Sequence, residues 1–172
     1  MYQEVRLNSK RNEVYRIFKD DKTYISKTFA NIDDFYKEEE ILNILKKNGA
    51  NVPNIIESKS NKIIMEDLGQ LTLLSWYEDL EKQNSLEYDE ILVKLCCWIK
   101  NFHNITLAHF NEQVVLWDVN FRNFIIKNNE IYGVDFEQSC PGNREFDAGK
   151  LTAYALTYEP YMTNWKIKFR NK

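Results

Sequence analysis

Short runs of alternating apolar and polar positions fill the first 29 residues, as in Val14-Tyr15-Arg16-Ile17-Phe18 and in Thr23-Tyr24-Ile25-Ser26-Lys27-Thr28-Phe29. The polar stretch Lys19-Asp20-Asp21-Lys22 separates these two runs, so they predict an antiparallel hairpin. The period then lengthens. Phe35, Ile41, Leu42 and Leu45 share one face of a helix that Asp33 or Asp34 can cap and that Asn48-Gly49 ends. Asn54–Glu57 and Lys62–Met65 read as two further strands around the turn Ser58–Asn61. After Gly69 the pattern is mostly helical. Leu73–Leu80 is a short helix, and in Glu87–Asn104 the residues Tyr88, Ile91, Leu92, Leu95, Ile99 and Phe102 recur at three- and four-residue spacing. Phe124-Ile125-Ile126 and Ile131-Tyr132-Gly133-Val134 flank Lys127–Glu130 as another hairpin, and Asp147–Tyr158 forms a last apolar helix with Pro160 beyond it. The expectation is an α+β chain, with strands and one helix in residues 1–68 and a mainly helical part in 69–172.

Composition narrows this picture. A chain of 172 residues, 44% hydrophobic and 28% charged, suits one globular domain or two small lobes sharing a cleft, and excludes wholesale disorder. No stretch approaches the ~18 apolar residues of a membrane span. The start, Met1 to Arg16, is charged throughout and lacks the apolar centre of a secretory signal. Cys96, Cys97 and Cys140 are too few for a disulfide framework, and the expected setting is cytoplasmic. Cys96 and Cys97, inside the long helix and without a cationic neighbour, read as small buried hydrophobes. A net charge of -3 does not favour a broad nucleic-acid surface. Charge is nevertheless local: Asp33, Asp34, Glu38, Glu39 and Glu40 cluster, and the tail residues Lys166, Lys168, Arg170 and Lys172 are basic and read as solvated surface.

The chemistry concentrates between Leu116 and Glu137. Asn123 and Asp135 each lie six residues from Asn129 in the predicted hairpin turn, so symmetric pairing sets them opposite each other at its open end. An amide oxygen and a carboxylate there are hard ligands of the kind Mg²⁺ takes. Asp118, five residues before Asn123, is a carboxylate able to orient the proton of an attacking hydroxyl.

Asp118, Asn123 and Asp135, followed by Phe136-Glu137, resemble the catalytic loop and metal-binding segment of the protein-kinase-like superfamily, in the flavour of its aminoglycoside and choline phosphotransferase branch. Asn12–Ile17 is similar to the nucleotide-covering hairpin, and Tyr24-Ile25-Ser26-Lys27 to the strand whose lysine pairs the α/β-phosphates. Glu38 aligns with that lysine's carboxylate partner. Met65-Glu66-Asp67-Leu68-Gly69 looks like the gatekeeper and hinge, whose backbone at Glu66 and Leu68 would bond adenine. Phe102-His103 resembles the pair that closes the helix before the catalytic loop, and Glu145-Phe146-Asp147 the segment that braces it.

The resemblance implies a two-lobed fold and a kinase that moves the γ-phosphate of ATP, with Mg²⁺, to a hydroxyl acceptor, small molecule or protein. Lys27 would neutralise phosphate, Asn123 and Asp135 would hold the metal, and Asp118 would position the acceptor. Three departures stand against it. Leu116 replaces the loop histidine, residues 7–16 hold no glycine, and only 25 residues follow Asp147. The last predicts a shortened C-terminal lobe and a protein partner that completes it. The first two favour an alternative, a nucleotide-binding pseudokinase acting as a scaffold.

Overall fold

The computed structural model describes residues 3–171. Strands β1 (Gln3–Arg6), β2 (Glu13–Lys19), β3 (Lys22–Thr28), β4 (Ile55–Lys59) and β5 (Lys62–Glu66) form one antiparallel sheet in the order β1-β2-β3-β5-β4. The β2–β3 turn is tight: Lys19 pairs Lys22 across Asp20 and Asp21, whose φ angles of 49° and 59° give the left-handed pair that matches strand twist. β1, fully exposed, lies on the sheet edge.

Helix α1 (Ile32–Lys47) follows, with Phe35, Ile41, Leu42 and Leu45 buried. Its cap is Asn31, whose side chain accepts the Asp33 N–H at 2.9 Å. Asp33 and Asp34, the predicted caps, instead occupy the first turn, where carboxylates complement the helix dipole. Gly49, with φ at 77°, ends the helix. Glu38 also lies on the buried face, 1% exposed, a position no isolated carboxylate tolerates.

Past a short connection come α2 (Leu73–Lys82), α3 (Asp89–Phe110), β6 (Val114–Val115), a 3₁₀ turn at Phe121–Asn123, β7 (Phe124–Lys127), β8 (Glu130–Gly133), β9 (Cys140–Pro141), α4 (Glu145–Thr157) and α5 (Asn164–Arg170). β7 pairs β8, and β6 pairs β9. This is a two-lobed α+β architecture, a small sheet with one helix beside a mainly helical lobe.

α3 runs six residues beyond its predicted end at Asn104, to the left-handed Asn111. His103 therefore sits inside the helix rather than at its close. The core is anchored by Trp98, Phe102 and Phe136, stacked at about 6 Å with interplanar angles of 11–16°. Cys96 and Cys97 are exposed, against the sequence reading. The buried stripe of α3 runs Ile91, Leu95, Trp98, Phe102, and the two positions after Leu95 turn away from it. Lys166 also departs from expectation. It is wholly buried in α5, its ammonium donating to the Tyr158 and Pro160 carbonyls at 2.7 and 2.6 Å and pairing with Glu81 at 3.0 Å. No helix among the described residues is long and apolar enough to cross a membrane.

Candidate active site

Lys27 points inward from β3, its side chain 8% exposed, and three carboxylates surround its ammonium. Glu38 of α1 lies at 3.0 Å, Asp135 at 2.6 Å and Glu137 at 3.0 Å. Glu38 Oε2 also accepts the N–H groups of Phe136 and Glu137 at 2.9 and 3.0 Å, so one buried oxygen ties strand, helix and the Asp135–Glu137 segment together. Phe136, between the two acids, is sunk in the aromatic stack. Asp135 takes a left-handed φ of 68° and is the open member, its side chain 42% exposed.

Electrostatics follow from one cation among three anions. Burial alone would lower the Lys27 pKa, but Glu38, Asp135 and Glu137 outweigh it and hold the ammonium more firmly protonated than usual. Glu38 is pushed up to about 7, chiefly by burial, with Lys27 opposing and the charges of Asp135 and Glu137 reinforcing the rise.

Glu137 and Asn12 fall inside segments that the sequence reading names, but neither is singled out there as a site residue, and their contact is not foreseen. Asn12, 8% exposed in the β1–β2 connection, donates its amide to the Glu137 carboxylate and accepts the Ala30 N–H at 3.2 Å. Lys37 donates to the Glu137 carbonyl at 2.9 Å. The signal in the sequence was thin: a second acid two residues after Asp135 with a phenylalanine between them. A second unforeseen clasp lies at the connection between the lobes. Arg16 of β2 grips Asp67 through Nε at 2.6 Å and Nη2 at 3.1 Å, and reaches the Gly69 carbonyl at 3.1 Å. Met65 and Leu68 are buried on either side. The Glu66 carboxylate accepts from Lys127 and from the Asn54 amide, each at 2.7 Å, and its N–H donates to the Asn54 carbonyl.

The loop from Leu116 to Asn123 is held from below. Asp147, fully buried, accepts the Leu116 and Trp117 N–H groups at 2.9 and 3.1 Å and the His103 Nε2–H at 2.8 Å. Loop support therefore reaches Leu116 through its backbone, with no histidine side chain at that position. Trp117 has φ at 63°, and Lys150 donates to its carbonyl at 2.7 Å while lying 3.5 Å from its ring centroid. Asn123 donates its amide to the Asp118 carbonyl at 3.0 Å.

The hairpin register differs from the symmetric expectation. Phe124 pairs Gly133 across a two-residue turn, Asn128-Asn129, with φ at 51° and 61°. Asn123 thus faces Val134, whose N–H donates to the Asn123 carbonyl at 2.9 Å, and Asp135 lies one residue past that pair.

For Mg²⁺, the chemistry of the donors fits: Glu38, Asp135 and Glu137 offer carboxylate oxygens within 4.8 Å of one another. The Lys27 ammonium, however, already bonds all three. Asp135 is the open member of that cluster, its side chain 42% exposed, and the Asn123 side-chain oxygen has no hydrogen-bond donor among the described residues.

Residues 1–150 match the family RIO1, described as the RIO domain. A comparison with curated protein sequences finds no match. Among solved structures, WaaP in complex with acyl carrier protein superposes with a TM-score of 0.68 over 98% of this chain and 76% of that chain, at 15% sequence identity, a likeness of fold.

Proposed function

The chain belongs to the RIO domain family, within the protein-kinase-like superfamily, and on that premise we propose that it is an ATP- and Mg²⁺-dependent phosphotransferase acting on a hydroxyl acceptor. The observation that carries this reading is the buried Lys27 bonded at once to Glu38 of the upper lobe and Asp135 of the lower, which joins the two lobes at one charged point. Residues 1–68 are the nucleotide lobe, with Met65, Glu66 and Leu68 lining the adenine side, and residues 69–172 the catalytic lobe. Lys27, held by Glu38, turns its ammonium to the α/β-phosphates. Asp135 and Asn123 hold Mg²⁺, which when bound neutralises phosphate oxygens. Asp118 orients the acceptor hydroxyl and takes its proton. Little covalent work falls to the protein, so the rate rests on position and charge.

A nucleotide-binding scaffold without transfer is the second reading, favoured by Leu116, by the lack of glycine in residues 7–16 and by the three carboxylates that already saturate Lys27. Thermal unfolding with ATP, with and without Mg²⁺, followed by transfer of ³²P from γ-labelled ATP, separates the two. A Mg²⁺-dependent rise in Tm with transfer supports the enzyme, and a rise without transfer supports the scaffold. No shift in either condition overturns both.

A further inference from the structure

Asp118 has two carboxylate oxygens in different surroundings. Oδ1 accepts the Asn120 N–H at 3.3 Å and faces the Tyr154 hydroxyl at 3.5 Å, whereas Oδ2 has no hydrogen-bond donor among the described residues. Tyr154 comes from α4, the helix whose first turn already grips the loop through Asp147. One turn further on, the Tyr158 hydroxyl donates to Asn120 Oδ1 at 2.9 Å and accepts the Phe121 N–H at 2.9 Å. The same Asn120 oxygen accepts the Arg122 N–H at 3.0 Å. The two tyrosine rings stack at 5.8 Å with an interplanar angle of 18°. They stand four residues apart, so they share one helical face.

We propose that Tyr154 is a positioning residue for Asp118: its hydroxyl, with the Asn120 N–H, ties Oδ1 and so fixes Oδ2 as the oxygen that receives the acceptor proton. Tyr158 supports this indirectly, by fixing Asn120 and by stacking on the Tyr154 ring. The division of labour follows from geometry. A carboxylate free to rotate about its last bond presents either oxygen, and one held at Oδ1 presents the other in a single direction. Such orientation matters because misplacement by about 1 Å can cost ~10²-fold in rate. The inference rests on the phosphotransferase reading.

Its test uses γ-³²P-ATP with Mg²⁺ and measures release of phosphate to water together with transfer to protein. Tyr154→Phe deletes one oxygen and keeps the ring stack, so the fold is expected to persist, which far-UV circular dichroism and Tm check. The expected result is a fall in kcat of ~10-fold or more, with KM for ATP and the Mg²⁺·ATP Tm shift unchanged. Placed in an Asp118→Asn background, Tyr154→Phe is expected to add nothing further, since the group it positions is gone. A wild-type kcat in Tyr154→Phe overturns the proposal, as does a loss that multiplies with that of Asp118→Asn. If the wild-type protein binds Mg²⁺·ATP and releases no phosphate to any acceptor, the phosphotransferase reading itself fails. That outcome is distinct, because it appears before any variant is made.

Discussion

Glu38 sets two physical effects against each other, and replacing it decides which is larger. Its carboxyl is wholly buried, accepts from Lys27 and two backbone N–H groups, and shares one ammonium with two other acids. With its pKa raised from 4.5 to about 7, the folded protein holds a proton there that the unfolded chain has released. The contribution is therefore present in full below pH 4.5 and is lost as pH climbs through 7. At 1.36 kcal/mol per pH unit, that rise is worth roughly 3 kcal/mol. Glu38→Gln keeps an oxygen to accept the same donors and removes the charge. Urea unfolding of both proteins from pH 4.5 to 8 isolates the effect, because every other titrating group is common to them. The stability of Glu38→Gln relative to wild type is expected to grow by about 3 kcal/mol across that range. Glu38→Ala lacks the same titrating carboxyl and also orphans two buried N–H groups, so it is expected to be about 2–4 kcal/mol less stable than Glu38→Gln at every pH. A Glu38→Gln protein that weakens relative to wild type as pH rises would falsify the argument, showing that attraction to Lys27 outweighs burial.

Asp135→Ala removes the open carboxylate at the mouth of the cluster, and its Mg²⁺-dependent ATP shift in Tm is expected to vanish, with phosphate transfer down ~10²-fold or more. An unchanged shift assigns the metal elsewhere. Asp147→Ala leaves the Leu116 and Trp117 N–H groups without their acceptor in a fully buried place, and is expected to cost about 2–4 kcal/mol of unfolding free energy. A Tm equal to wild type sinks the view that this side chain supports the loop. Gly133→Ala places a methyl group 2.2 Å from Trp98 ring carbons, and a loss of about 1–3 kcal/mol is expected as a lower urea midpoint at unchanged m value. A neutral outcome means β8 and α3 can part at no cost.

The elements legible in the sequence were those whose signal is local. Asp20-Asp21 between alternating runs, and a three- and four-residue apolar spacing around Leu95, each carry their own period. β1 lies in the alternating N-terminal stretch but buries no residue that would mark it as a separate strand, and its place in the sheet follows from pairing with β2. The exposure of Cys96 and Cys97 was hidden for another reason. The broad apolar run of α3 exceeds the stripe that its neighbours cover, and composition does not say which part is left out. Symmetric counting about Asn129 missed the hairpin register by one residue, because the turn centre falls between Asn128 and Asn129. One residue suffices to move Asp135 out of the pair with Asn123.

In the site the same limit applies at longer range. Asp135 could be named from residue type and its place beside the predicted hairpin, and Lys27 and Glu38 only through the family resemblance, but Asn12 meets Glu137 across 125 residues and Arg16 meets Asp67 across 51, distances at which no periodicity survives. Those two clasps alter the physical picture of the upper lobe. A glycine-rich connection covers phosphate with freely closing backbone amides; the connection before β2 has no glycine and is instead pinned at Asn12 to the segment that carries Asp135. Its position is thereby linked to the acidic cluster. Glu137 accepts from Asn12 and is ion-paired with Lys27, so a phosphate that draws Lys27 away leaves Glu137 with Asn12 as its side-chain partner among the described residues. One ammonium among three acids is undercompensated, and Asp135, the exposed one, is where added positive charge lowers that cost most directly. A cation placed at this edge of the cleft would therefore be favoured by the charge imbalance of the folded chain, independently of the order of motifs along it.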